Sequence, residues 1–322
     1  MISYPIHTEN SPLQAIDTSF SHYVEQRKKD TGIHMNGSVP DYAFALDYEL
    51  RRKLDQIPHF MNLCKKITST IETRQLQQIN QHALQVGPNQ FPEIYEMGLD
   101  CAHRLGIGIP NIYIENNPLM NAYTCASDDT SPLLVLYTGI VDRMTPGELK
   151  AVIGHECGHI QNRHLVYQNV INMLLNSASS APGLTGLLLS LANISLMQFW
   201  TRAAEVTADR AGMICADSIQ DALTANAKLA SGGTLNTSYQ QTMDLSAIHD
   251  QLAMTLDNPT RMLEITNTHP AFARRIFCDK EFEQCDVLYS WRPDMKKPGL
   301  TLRSKEETDE RCKKLVNIIK NK

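Results

Sequence analysis

Apolar residues recur along the chain at two periods, and the switches between them mark out its elements. Leu46, Leu50, Leu54 and Ile57 stand at helical spacing, as do Leu63, Ile67 and Ile71. Residues 1–90 therefore read as a polar lead followed by helices, a helical N-terminal extension. Pro92 suits the first turn of a helix whose stripe is Ile94, Met97, Cys101 and Leu105, with Gly106 to end it. Short β-type runs follow at Ile112 to Ile114, Asn121 to Ala126 and Leu133 to Tyr137. Thr145-Pro146-Gly147-Glu148 is a capping box with proline at the first helical position, and it opens a helix through Leu149, Val152, Ile153 and His155 to His159.

From Leu165 to Thr201 no residue is charged, and Ser179 to Gly183 interrupts the run, which predicts two helical arms around a turn. Further helices are expected at Ile219 to Leu229, Tyr239 to Met254 and from Pro270 onward. A last one begins near Ser304, with Glu307 completing a capping box, and packs through Leu315, Ile318 and Ile319. The fold class is α+β, predominantly helical, with a small antiparallel or mixed sheet next to the His155 to His159 helix. The division expected is an extension over 1–90, a catalytic domain over 91–290 and a basic helical tail over 291–322.

Composition narrows the classes. At 322 residues, 42% hydrophobic and 20% charged, the chain is neither disordered nor fibrous. Its net charge of -5 argues against a general nucleic-acid binder. The first Lys or Arg is Arg27, and no apolar stretch accompanies it, so no secretory signal is expected. The 8 cysteines are scattered without a Cys-x-x-Cys, which fits small buried hydrophobes in a reducing, cytoplasmic compartment. The arm from Gly183 to Trp200 carries Thr185, Ser190, Asn193, Ser195 and Gln198 and is too polar to span a bilayer. A buried or site-covering hairpin is expected; contact with a membrane surface is the less favoured alternative.

His155-Glu156-Cys157-Gly158-His159 carries the chemistry. Residues four apart on a helix share a face, so both histidines can reach a single Zn²⁺, while Glu156 points to the adjacent side and can act as general base on a water. Cys157 lies about 200° round from His155, facing the core. A catalytic zinc needs a third protein ligand. Glu205 and Asp209 share a face of a second helix, Arg202 to Gly212, on which Ala204, Ala208, Ala211 and Gly212 permit a close approach. Glu205 can then ligate the metal and Asp209 can accept an N–H from a ligand histidine. Taken alone, the two acids would more often be a solvated face or salt-bridge partners of Arg202 and Arg210; the preceding His155 to His159 motif reverses those odds.

His155-Glu-x-x-His159, Glu205-x-x-x-Asp209 and Thr268-His269-Pro270 with Arg275-Ile276 behind it together resemble peptidase family M48, the gluzincin endopeptidases that include HtpX and the CAAX prenyl endopeptidases. Leu105-Gly106-Ile107, Pro110 and Asn121-Ala122-Tyr123 extend the likeness, which runs from about Phe91 to Ile276. The resemblance implies a zincin-like fold, one zinc per chain on His155, His159 and Glu205, Glu156 as the base, Asp209 as partner of a ligand histidine, and protein or peptide substrates. It also implies that Asn121 and Ala122 lie on an edge strand that binds extended peptide. His269, fixed at a helix entrance by Pro270, is the candidate second donor to the developing oxyanion; capping that helix is its alternative role. His164, five residues past His159, reads as a structural or surface histidine. The function expected is a zinc-dependent endopeptidase. Its rival is a catalytically silent, zinc-stabilised peptide-binding or chaperone-like module.

Overall fold

A computed structural model describes residues 34–57, 76–125, 132–168, 191–232 and 272–316, apart from 37, 38 and 80 and the side chains of 191–195, together with isolated residues between these stretches. The elements are β1 (Met35–Asn36), β2 (Val39–Pro40), α1 (Ala45–Asp55), β3 (Ala83–Gln85), α2 (Pro92–Leu105), β4 (Asn111–Glu115), β5 (Ala122–Cys125), β6 (Leu133–Tyr137) and α3 (Thr138–Arg143). They continue with α4 (Pro146–Gln161), α5 (Leu191–Cys215), α6 (Ile219–Ser231), α7 (Phe272–Phe282), α8 (Asp286–Trp291) and α9 (Lys305–Val316). This is a predominantly helical α+β fold.

The sheet is mixed, in the order β3-β4-β6-β5, with β4 parallel to β6 and the outer pairs antiparallel. Alternation along its inner strands sorts their side chains between two faces. Ile112, Ile114, Leu134 and Leu136 join the main core under the helices. Tyr113, Leu133 and Val135 form a smaller cluster with Ile79 on the other face. Both faces being covered explains why β6 reads as a continuous apolar run. Within the first 90 residues, the described part also holds the β1–β2 hairpin and strand β3, which extends the sheet through β4.

Local signals act where the sequence puts them. Pro92 stands in the first turn of α2, and Gly106 ends it at φ 66°, a left-handed conformation that glycine adopts without strain. The Thr145–Glu148 capping box opens α4 with both reciprocal bonds formed. The helix expected from Arg202 is the second half of a longer one: α5 runs unbroken from Leu191 to Cys215. The central part of the uncharged run, 172–190, and the helix expected at Tyr239 to Met254 lie outside the described residues, apart from single positions. Among the described residues no helix is long and apolar enough to cross a membrane. In the tail, Thr308, Cys312 and Val316 are buried; Ile318 and Ile319 lie outside the described residues.

α4 and α5 are in contact along small residues. A Cβ at Gly154 would fall 2.3 Å from the Cys215 Cβ, and one at Gly158 would fall 2.6 Å from the Ala211 Cβ. α5 is thereby buried along its charged stretch: Arg202, Glu205, Asp209 and Arg210 are all inaccessible. The solvated-face alternative for Glu205 and Asp209 is therefore excluded, and Arg210 has a remote partner. Its guanidinium lies 2.7 Å from Asp309 of α9 and donates to the Tyr42 carbonyl at 3.0 Å, while Phe44 and Phe282 stack against it.

If close approach at Gly154 seats the two helices, Gly154→Ala costs about 1–3 kcal/mol through overpacking against a side chain that cannot swing away. Gly87→Ala, whose Cβ would meet nothing within 4 Å, stays within about 0.5 kcal/mol of wild type. Urea denaturation of the two variants reads the difference, and equal midpoints would show that the helix contact is not tight.

Candidate active site

α4 holds His155 and His159 one turn apart, and its contact with α5 brings Glu205 to face both. The two Nε2 atoms are 3.1 Å apart. Glu205 Oε2 lies 3.7 Å from His155 Nε2, and its Oε1 lies 3.5 Å from His159 Nε2. Ligands at about 2.0–2.1 Å around a tetrahedral ion stand about 3.3 Å from one another. Two imidazole nitrogens, each faced by one oxygen of the Glu205 carboxylate at this spacing, fit a single divalent metal, and the three residues form a group able to hold one.

Each histidine is steered from its other nitrogen. His155 Nδ1 lies 2.9 Å from Asp209 Oδ1. Asp209 is itself clamped by Arg275 of α7, whose Nε donates to Oδ2 at 2.8 Å and whose Nη2 donates to Oδ1 at 2.6 Å. Arg275 Nη2 also donates to Asn226 Oδ1 at 3.2 Å, and Nη1 lies 3.6 Å from Glu205 Oε2. Burial pushes the Asp209 carboxyl up, but the guanidinium and the histidine outweigh it and hold it at about 2.

On the other side, His159 Nδ1 lies 2.9 Å from His164 Nδ1, and His164 Nε2 lies 2.9 Å from Asp47 Oδ2. His164 is fully buried, which decides for the structural of its two readings and against the surface one: it stands behind the ring of His159, beyond the metal face of α4. The chain reverses at Arg163, which takes φ 60°, a left-handed conformation that costs a non-glycine residue about 1–3 kcal/mol. Asp47 also accepts from Trp200 Nε1 and Thr207 Oγ1, both at 2.8 Å. Burial raises its pKa, yet contact with His164 and these bonds leave it below the ordinary carboxylate value.

Glu156 accepts from the Thr124 hydroxyl at 2.5 Å. Cys157 points away into the core, where burial pushes its thiol well above the ordinary range. The cleft has a volume of about 130 Å³, and Asn121, Ala122, Glu156, Val152, Leu229 and Phe272 contribute to its walls beside His155 and Glu205. β5 stands at the edge of the sheet. The amide of Tyr137 donates to the Asn121 carbonyl at 3.2 Å, so that opposed pair is the hydrogen-bonded kind. Antiparallel pairs alternate, so the backbone groups of Ala122 and Thr124 turn away from β6.

His155, Glu156, Glu205, Asp209, Asn121 and Ala122 thus all line one cleft, with His159 beside His155, whereas His269 lies outside the described residues. Sequence reasoning missed Thr124, His164, Asp47 and Asn226, and gave Arg275 no role. Arg275 sat in the stretch that carried the family likeness; Asp47, 117 positions before His164, left no local signal.

The model of peptidase family M48 matches residues 88–278, more than half of the chain. The chain belongs to peptidase family M48. Within this family it is 31% identical over 147 residues to the plastoglobule-localized metallopeptidase 48, chloroplastic, of Arabidopsis thaliana, an alignment covering 46% of this chain and 42% of that protein. It is 24% identical over 227 residues to the protease HtpX homolog of Moorella thermoacetica, covering 63% and 76%, and 31% identical over 119 residues to that of Pediococcus pentosaceus, covering 37% of each. The chain thus spans less than half the length of the first and third of these relatives. M48 is a family of peptidases, and the relative from Arabidopsis thaliana is named a metallopeptidase.

Arg275→Met would leave the Asp209 carboxylate buried without its clamp and should destabilise the metal-free protein by about 3–5 kcal/mol in denaturant. Arg275→Lys keeps the charge but loses the two-pronged geometry, so it should recover part of that loss. Asp209 is depressed from about 3.9 in the unfolded chain to about 2 when folded. Its stabilisation is therefore complete above about pH 4 and lost as pH falls through 2. A variant as stable as wild type at pH 7 would refute the clamp.

Proposed function

We propose that this M48 protein is a zinc-dependent endopeptidase in which His155, His159 and Glu205 hold the metal, Glu156 is the general base and Asp209 orients His155. The observation that carries this reading is the pair of imidazole nitrogens 3.1 Å apart, each within 3.5–3.7 Å of an oxygen of the Glu205 carboxylate, with the buried Glu156 carboxylate on the same helix. Two imidazoles, one carboxylate and an open fourth position are the ligand set of a catalytic zinc. When bound, zinc acts as a Lewis acid, acidifying a water and polarising the scissile carbonyl.

The protein's own groups do the rest. Glu156 takes the proton from the attacking water and delivers it to the leaving amine. Thr124, donating to Glu156 Oε2, fixes the rotation of that carboxylate. An extended substrate adds to the free edge of β5 through the backbone of Ala122 and Thr124, with the Asn121 side chain beside it. His269 is the proposed second donor to the oxyanion, on the strength of its Thr-His-Pro context in the sequence. The 8 cysteines, all free and buried, support a reducing, cytoplasmic setting.

Wild type should carry one zinc per chain, and Glu205→Ala should lose it, by elemental analysis. Glu156→Gln should keep zinc and fold yet lose about 10²–10⁴-fold in cleavage of an unfolded casein-like substrate. Undiminished zinc in Glu205→Ala, or undiminished cleavage by Glu156→Gln, would overturn the corresponding assignment. His269→Ala should lower kcat by about 10²-fold with zinc content and melting temperature unchanged. If lower stability is its sole defect, His269 has no part in catalysis.

A further inference from the structure

The N-terminal arm lies outside the residues that match the M48 model, yet it closes over the C-terminal end of α4. Tyr42 donates to Gln161 Oε1 at 2.6 Å and accepts from Asn162 Nδ2 at 2.9 Å. Tyr48 donates to Asn162 Oδ1, and Arg51 donates to the Asn162 carbonyl, each at 2.7 Å. From the same arm Asp47 reaches His164, and His164 reaches His159. Asp47 and His164 are completely buried, and the turn that presents His164 is held in a left-handed conformation at Arg163. Strained backbone persists where the surroundings over-determine it, and it concentrates at functional sites.

We infer that Asp47 is a positioning residue of the metal centre, acting on the ligand His159 through His164, so that the N-terminal arm sets the affinity and ligand field of a site otherwise contained in the matched domain. This inference rests on the reading of His159 as a metal ligand. With Nε2 of His159 facing the metal, its proton stands on Nδ1 and is donated to His164 Nδ1; His164 then carries its own proton on Nε2 and donates it to Asp47. The hydrogen-bond network permits this one tautomer for each ring. A carboxylate at the end of such a line fixes the ligand's orientation and raises its basicity. His155 receives the same service directly from Asp209, whereas His159 receives it through an intervening imidazole. The two ligand histidines are therefore oriented by opposite parts of the chain, α5 with α7 for one and α1 for the other.

The test compares zinc affinity, by competition with a chromophoric chelator, in wild type, Asp47→Asn and Leu50→Ala, each confirmed folded without metal by circular dichroism. Asn keeps the shape and an acceptor but removes the charge, and zinc binding should weaken by roughly 10–100-fold. The visible spectrum of the cobalt-substituted variant should shift as well. Leu50 is buried on the same helix in an apolar cluster; its truncation should lower the melting temperature while zinc affinity and the cobalt spectrum stay as in wild type. In wild-type zinc protein, nitrogen NMR of the imidazoles should place the proton of His164 on Nε2, a measurement that stands even where Asp47→Asn does not fold. Wild-type affinity in Asp47→Asn, an equal loss in Leu50→Ala, or a His164 proton on Nδ1 would overturn the inference. Failure of wild type to bind zinc would instead strike at the proposed function itself.

Discussion

α4 and α5 approach so closely at Gly154, Gly158 and Gly212 that a methyl group on any of them would overlap the facing helix, and this contact sets Glu205 opposite His155 and His159. Side chains of ordinary size would hold two helices 8–10 Å apart. The same contact has a cost, because it takes the charged stretch of α5 out of water. A buried charge is tolerable when paired and hydrogen-bonded, so the rest of the fold supplies partners from distant segments. Arg275 arrives on α7 for Asp209, and Asp309 arrives on α9 for Arg210. Asp309 accepts in addition from the Ala45 amide at the start of α1 and from Lys305. The charges of one helix thus determine where three others must lie.

The charges around Arg275 bear on the proposed metal site. Glu205 and Asp209 lie within 3.6 Å of the one guanidinium. Asp279, nearby on α7, is pushed well above its ordinary value by burial and by Asp209, and it accepts from Asn226. The Arg275 guanidinium is thus shared by two buried carboxylates, Glu205 and Asp209, while Asp279 is pushed toward its neutral form. On the proposed function, a divalent ion held by His155, His159 and Glu205 would add positive charge beside these carboxylates. Because the unfolded chain has no such site, metal binding adds directly to folding free energy.

Elements governed by local chemistry were legible in the sequence. The capping box at Thr145, the proline and glycine bounding α2, and the four-residue spacing of His155 and His159 each act within one or two turns. Glu205 and Asp209 were legible as a pair because they too share a helix face. What could not be read was set by tertiary contact. Whether those acids were solvated or buried depended on the glycines of α4, and the partner of Arg210 stands 99 positions away, the difference between 309 and 210. His164 seemed out of line because a helical wheel presumes the helix continues, whereas the chain reverses at Arg163. Asp47 had no neighbour in sequence to give it meaning. The brevity of β3 left no periodicity to detect, although β4 has a second edge that it fills.

In the proposed function, strand β5 would join recognition to chemistry. The side chain of Thr124 holds Glu156, while its backbone, with that of Ala122, faces outward from the sheet edge. Side chains stand perpendicular to the sheet and backbone groups lie within it, so one four-residue segment can do both without conflict. A peptide that adds to this edge has its register fixed relative to the very residue that positions the base, which places its carbonyl before any side chain is read. Under that proposal, selection would rest first on the ability to become a strand, a property of extended or unfolded chain and not of a folded surface. The apolar wall of Val152, Leu229 and Phe272 adds a second criterion, favouring an apolar side chain on one flank of the bond. Main-chain pairing supplies affinity with little regard to sequence, whereas a pocket discriminates by about 1–3 kcal/mol for each methylene it accepts or refuses. If the proposed function holds, such an enzyme would cleave where the chain is open and choose among open sites by the shape of one wall.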